Sequence, residues 1–350
     1  MKRILAVAVI AALCVCLCSC GYNPQVVGSV KDADGEGTEI SCGRYLVAQF
    51  TASDSALYTF DPTGSSDFAS VLKGEIDGTD AREWIAQETE RLIMRAAAVD
   101  RIGADNGIAF TPDEKYVYDY SIGYGWSSYH DIYMANGISY DTFYDYQMNI
   151  ALDAELTLRL YGTGGPMELD EAIVKDYRDN KTARVTLLLL PGTPSDSSIT
   201  LTDEDLAMLD ELAAKVYAEV QESGDFSAVR EAYEPLYEEI LGEGCLDGAY
   251  SSSVLAIEGD GRYSADMMKA LLGSETGDYG LLDAGSHNYS VFRREELKES
   301  DTLDYIRDSI CDIVAADRYE ELIDEYTKGW TLDLDQKAVK YYSVDKVTFN

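Results

Sequence analysis

The chain predicts an α+β fold that is mostly helical, and three observations carry that prediction. Apolar residues recur at three- and four-residue steps through four long stretches, 79–102, 139–162, 202–220 and 303–326. A near-continuous apolar run, Val185 to Leu190, is closed by Pro191, as in a strand buried on both faces. Tyr279-Gly-Leu-Leu-Asp and Asn288-Tyr-Ser-Val-Phe-Arg-Arg flank Ala284-Gly285-Ser286, a strand-turn-strand signal.

The elements follow in chain order. Lys2 and Arg3 precede an apolar run from Ile4 to Leu17, too short for a comfortable bilayer span, so residues 1–20 read as a processing signal. The run ends in Leu17-Cys18-Ser19-Cys20, the pattern of a bacterial lipobox with Cys20 as the acylated residue. More than one acyl chain, at about 0.8 kcal/mol per buried methylene, makes a stable anchor. Residues 21–43 have no apolar period and read as a flexible tether. Tyr45 to Phe60 fits either extended segments or a distorted helix. Thr79-Asp80 offers caps for a helix whose stripe includes Trp84, Ile85, Leu92, Ile93 and Val99. Thr111-Pro112-Asp113-Glu114 opens a second helix, with Thr as cap and Pro in the first turn. A third starts at Ser139 and stops at Gly162. Further helices are expected over 168–180, from Thr202 to Gly224, and after it along Phe226, Val229, Tyr233 and Leu236. A short one spans Met267 to Leu272, and a last one runs unbroken from Leu303 to Tyr326.

Composition narrows the function. There are 28 basic residues against 64 acidic ones, a net charge of −36, which excludes nucleic acid as a partner. The charge is spread along the chain, so it reads as a solvated surface. Asp32, Asp34 and Glu36 form the densest early cluster, but D-x-D-G-E lacks the remaining oxygen ligands of a calcium loop, and no metal or cofactor is expected. Beyond the signal only Cys42, Cys245 and Cys311 remain, enough for one bridge at most; Cys311, on an apolar helical face, equally fits a small buried hydrophobe. No G-x-S-x-G or H-E-x-x-H motif supports a hydrolase. His130, in S-S-Y-H-D-I-Y, reads as a surface or core-edge residue.

Asp170 to Tyr233 reads D-E-A-I-V-K-D-Y-R-D-N-K, then A-R-V-T-L-L-L-L-P, and after a long amphipathic helix S-G-D-F-S-A-V-R-E-A-Y. This resembles the opening of a parvulin-type peptidyl-prolyl isomerase domain, as carried by SurA/PrsA-type extracytoplasmic foldases. Upstream, G-T-D-A-R-E-W-I, D-N-G-I-A-F-T-P-D-E and N-G-I-S-Y-D-T-F-Y-D-Y resemble the helical chaperone region of the same proteins. The resemblance implies a helical chaperone domain at 44–181, a parvulin-like α/β domain inserted at 182–296, and a C-terminal helix and tail, 297–350, packing back on the chaperone domain. The family carries one histidine on the first strand, another on the last strand, and a Cys or Asp between. In this chain Val185, Leu187 and Ser290 occupy the marked strand positions, His287 lies three residues before Ser290, and Cys245 and Asp247 lie near the middle position. Catalytic residues are therefore not identified, and the domain is expected to be inactive.

A chaperone needs no catalytic group, only aromatic and apolar surface among solvating charge. Tyr116, Tyr120, Tyr124, Trp126, Tyr129, Tyr133, Tyr140 and Tyr144 crowd one segment, and tyrosine offers ring area with a polar tip. These are the expected client-binding residues; for any one of them, closing the helical core is the simpler role. The expected function is a membrane-anchored extracytoplasmic chaperone for unfolded or exported polypeptides. The alternatives are an active isomerase with non-standard site residues, and a peptide- or solute-binding lipoprotein.

Overall fold

The computed structural model describes residues 23–64, 66–194 and 196–349, so the signal segment and Cys20 lie outside the described residues. The fold is mostly helical α+β with antiparallel sheets. It divides into two units: one takes in the chain up to Leu156 together with Asp317 onward, the other is Thr157–Ala316.

The first unit opens with two strands where a tether is expected. Strands β1 (Val26–Lys31) and β2 (Gly37–Ser41) form an antiparallel hairpin, and β9 (Thr331–Leu334) pairs on the other side of β1. Val27, Val30 and Ile40 point into a core with Tyr45, Ala48 and Ile93, and that burial holds the segment down. The approach to β9 is close enough that a Cβ on Gly28 would sit 2.3 Å from the Asp333 carbonyl oxygen. Helix α1 (Cys42–Phe60) resolves the ambiguous stretch: Ser41 caps it by accepting from Arg44 N–H at 3.1 Å, and Ala48, Ala52 and Ala56 form a narrow buried stripe. One turn, α2 (Phe68–Val71), and a two-residue ribbon of β3 (Glu75–Ile76) and β4 (Thr79–Asp80) lead into α3 (Ala81–Asp105). Asp80 caps α3, and Ile85, Ile93, Val99 and Ile102 are buried along it. Helix α4 (Pro112–Ala135) carries the full Thr111–Glu114 capping box, and α5 (Tyr140–Tyr161) follows.

The second unit is built on a four-stranded antiparallel sheet in the order β6-β5-β8-β7. Its strands are β5 (Thr182–Leu190), β6 (Tyr250–Ile257), β7 (Tyr279–Gly285) and β8 (Asn288–Glu295). After α6 (Glu171–Asn180), the helices α7 (Asp203–Ser223) and α8 (Phe226–Leu241) cover one face through Leu209, Val216, Phe226 and Tyr237 against Leu188, Leu190 and Val291. The short α9 (Ala265–Gly273) covers the other face with Met267, Met268 and Leu271. Both faces are covered along β5 except at Leu189, which is why β5 reads as an unbroken apolar run although the sheet is antiparallel.

The C-terminal helix expected from Leu303 to Tyr326 is two helices, α10 (Leu303–Val314) and α11 (Ala316–Thr327). At about 100° per residue, Tyr319, Leu322 and Ile323 fall on the side opposite Ile306 and Ile310. One straight helix would bury only one of these sets, and the chain breaks at Ala315. As a result α10 packs on α6 within the second unit, while α11 belongs to the first. What differs from expectation is the boundary: α6, expected within the 44–181 helical domain, belongs with α10 to the unit Thr157–Ala316. A short helix α12 (Gln336–Tyr341) and a 3-10 turn, Val344–Lys346, finish the first unit.

Candidate functional site

Two surfaces carry the residues singled out by sequence. The first is α4. Its interior holds one buried residue, Ile122, although the helix is 24 residues long. Residues four apart share a helix face, and Tyr116, Tyr120 and Tyr124 form such a row at 77, 81 and 71% exposure, with Val117 exposed beside them. Each such ring offers roughly 150–250 Å². Exposed apolar surface on that scale is characteristic of an interaction site. Tyr129 is also exposed.

The other expected aromatics divide differently. Trp126 stacks on Tyr133 at 5.9 Å between centroids, and both pack on Phe143, at 5.5 and 4.7 Å. Tyr133 also meets Phe50 of α1 at 5.3 Å. Trp126 and Tyr133 are therefore partly buried residues that fasten α4 to its neighbours. Tyr140 is half-exposed and stands edge-on to Trp126. Tyr144 donates a 2.7 Å hydrogen bond to Asp119 Oδ1, and that bond raises its phenol pKa. Beside Tyr144 lies a cleft of about 580 Å³ in the same unit, lined by Phe110, Met148 and Leu152 among others. On its wall Arg44 pairs with Asp100 at 2.7 Å, and Asn149 Nδ2 donates to the same carboxylate at 2.7 Å. Arg44, Asp100 and Asn149 have no sequence motif; they are brought together only by the fold.

The second surface is the face of the sheet that carries Val185, Leu187 and Ser290. Cross-strand pairs Val185–Arg294, Leu187–Phe292 and Leu189–Ser290 put these residues on one face of adjacent strands. That face is covered over Val185 and Leu187 and open at Leu189, the cross-strand partner of Ser290, which is 44% exposed. Val185 and Leu187 are buried against Ala256, Met267, Met268, Leu271 and Phe292, and Ser290 is buried as well. A Cβ on Gly280 would come within 2.3 Å of the Phe292 ring, so the missing side chain is what lets the ring lie across β7. Val185 presents hydrocarbon only; Ser290 presents one hydroxyl.

The remaining candidates sit elsewhere. His287, at φ 60° in the β7–β8 turn, lies with Nδ1 2.7 Å from Asp210 Oδ1, and the Tyr289 hydroxyl donates to the same oxygen at 2.9 Å. Hydrogen bonds from His287 and Tyr289 hold the Asp210 carboxyl below its ordinary range, and burial followed by Asp210 itself pushes Tyr289 up to about 12. Asp210 was not singled out by sequence, since nothing local marks it among the many acidic residues of α7. His130 lies at the surface beside Asp131. Cys42, Cys245 and Cys311 are free thiols. Burial raises the pKa of Cys245, and burial with Asp308 and Asp312 pushes Cys311 up to about 12, so neither is an activated thiolate.

No family model matches the sequence, and no curated protein aligns with it significantly. Among solved structures the chain is similar to the foldase protein PrsA from Lactococcus lactis, at 11% identity over 92% of this chain and 99% of that one, with a TM-score of 0.39. It is also similar to the foldase protein PrsA from Streptococcus pneumoniae, at 14% identity over 75 and 83% of the two chains and a TM-score of 0.34. PrsA from Bacillus subtilis matches at 11% identity over 75 and 90%, with a TM-score of 0.31.

Proposed function

We propose that this protein is a lipid-anchored extracytoplasmic chaperone that binds unfolded or exported polypeptides, and that its four-stranded sheet unit performs no isomerisation. One observation carries the reading: the exposed row of Tyr116, Tyr120 and Tyr124 on a helix with a single fully buried residue. A row of rings with polar tips wets well in the free protein and still buries apolar area against a client of any sequence. The burial of Val185 and Leu187 supports the second half of the reading. Turning an X-Pro bond requires lowering a barrier of about 18–20 kcal/mol, which needs an open pocket with polar groups aimed at the twisted amide. Val185 and Leu187 offer neither.

The test is suppression of aggregation of a chemically denatured reporter protein. The full chain should suppress it, and a triple Tyr116→Ser, Tyr120→Ser, Tyr124→Ser variant should lose most of that effect while keeping its circular dichroism. Equal suppression by the variant would sink the reading. In a prolyl-peptide assay no acceleration is expected; acceleration that vanishes on changing Val185 or Ser290 would establish the isomerase alternative. Acylation is tested by palmitate labelling, which Cys20→Ala should abolish.

A further inference from the structure

The segment Val347–Phe349 in the first unit is held as a peptide ligand would be. The Asn136 side chain, at the C-terminal end of α4, reads both backbone groups of one residue: its Nδ2 donates to the Thr348 carbonyl oxygen at 2.7 Å, and its Oδ1 accepts from the Thr348 N–H at 2.9 Å. That two-way amide pairing is the contact a neighbouring β-strand would make, and it is blind to the side chain of the residue it holds. Val347 before it is extended, at φ −66° and ψ 136°. One residue on, the Phe349 ring sits 5.1 Å from Phe50 and 5.1 Å from Phe68, edge-on to the latter. Backbone recognition at one position and an aromatic slot at the next together specify an extended chain with a ring side chain.

Two features of the surroundings bear on whether this segment is a fixture or an occupant. It does not fill its groove: alongside lies an open pocket of about 240 Å³ lined by Leu46, Gln49, Phe50, Gly137, Tyr341 and Val347. The residues just upstream are tied down separately, by the Arg82–Asp345 ion pair at 2.8 Å, so residues 347–349 are not what anchors the preceding turn.

We propose that Asn136, Phe50 and Phe68 form a binding site for an extended polypeptide segment bearing an aromatic side chain, and that Val347–Phe349 is its resident, displaceable occupant. This rests on the polypeptide-binding reading and adds a second, sequence-selective site to the tyrosine row. The probe is a fluorescein-labelled Lys-Val-Thr-Phe-Asn peptide, with binding followed by anisotropy. It should bind a chain ending at Lys346 at least ten-fold more tightly than the full chain. A peptide with Ser in place of Phe should lose that binding, and Asn136→Ala in the shortened chain should weaken it at least ten-fold with unchanged circular dichroism. Should the shortened chain fail to fold, the full-length Phe349→Ala variant serves instead, since it vacates the slot and keeps the backbone. Equal affinity for the occupied and vacated forms, or indifference to Asn136→Ala, overturns the proposal. If binding is instead lost from both forms with the triple tyrosine variant, the chaperone reading survives and this inference falls. If the peptide binds nowhere and aggregation is not suppressed, both fall.

Discussion

The α4 face carrying Tyr116, Tyr120 and Tyr124, expected to bind clients, and the sheet face carrying Val185, Leu187 and Ser290, the parvulin-like strand positions, are treated by the fold in opposite ways. The first keeps large rings in water; the second closes helix α9 over hydrocarbon. In a stable domain, large apolar side chains left in solvent forgo roughly 1.5–3 kcal/mol each. Burial, by contrast, needs no reason beyond stability. The proposed assignment of interaction to the exposed face and structure to the buried one rests on that contrast.

That assignment can be broken experimentally, beginning with the largest effect. Arg184 on β5 and Asp301 form an ion pair in the sheet unit that is nearly inaccessible to solvent. Asp301→Ala leaves a buried guanidinium unpaired, which costs about 3–5 kcal/mol. Hydrogen exchange of the 182–190 amides should report the loss. Trp84, Trp126 and Trp330 all lie in the first unit, so tryptophan fluorescence reports that unit alone. Equal displacement of the fluorescence transition would mean that the two units unfold together.

On the buried face, Leu187→Ala should cost about 2–5 kcal/mol by opening a cavity, with no loss of client binding. On the exposed face, Tyr120→Ser should change stability by no more than about 0.5 kcal/mol and weaken client binding. Denaturant midpoints beside aggregation assays compare the two, and a reversed pattern would invalidate the assignment.

Acid should also separate the regions. Burial raises the Asp301 carboxyl, but hydrogen bonds from Arg184 and the Lys298 N–H outweigh it and hold the group below its ordinary range. A carboxyl with a lowered folded-state pKa contributes stability that is complete above about pH 4 and is lost as pH falls through the folded value. Exchange protection of 182–190 should therefore decline as pH falls below about 4, and Asp301→Ala should flatten that decline. A slope unchanged in the variant would assign the acid sensitivity to other carboxyls. A further effect is at Gly123, inside α4, where a Cβ would meet nothing within 4 Å. Gly123→Ala should stabilise the chain by about 0.4–1 kcal/mol in a thermal melt. Destabilisation would show that the solvent-facing helix relies on that glycine.

Much of the fold was legible because helix caps are local. Asp80, Thr111 with Glu114, and Thr202 with Asp205 each lie within a few residues of the helix that they start. Harder features depend on distant partners. The Val26–Ser41 hairpin left one local trace that went unread, Asp34-Gly35 at its turn with Gly35 at φ 84°, but the burial that stabilises it comes from α1, α3 and β9. The alanine stripe of α1 is too small to register as a strong apolar period. The break at Ala315 left a trace that went unread, the change of side between Ile310 and Tyr319. Within the candidate site, the aromatic cluster was visible, but not its division: neither spacing nor residue type separates Trp126 and Tyr133, which pack, from Tyr120 and Tyr124, which do not.

Strand β9 closes the edge of β1 with residues as far apart as Lys31 and Asp333, 302 positions along the chain. During synthesis or export from the N-terminal end, β1 and β2 emerge early and their third strand last, after the whole of Thr157–Ala316 has appeared. Local contacts form before distant ones. The later-emerging sheet is therefore able to mature first, leaving the earliest segment waiting half-made for the final one.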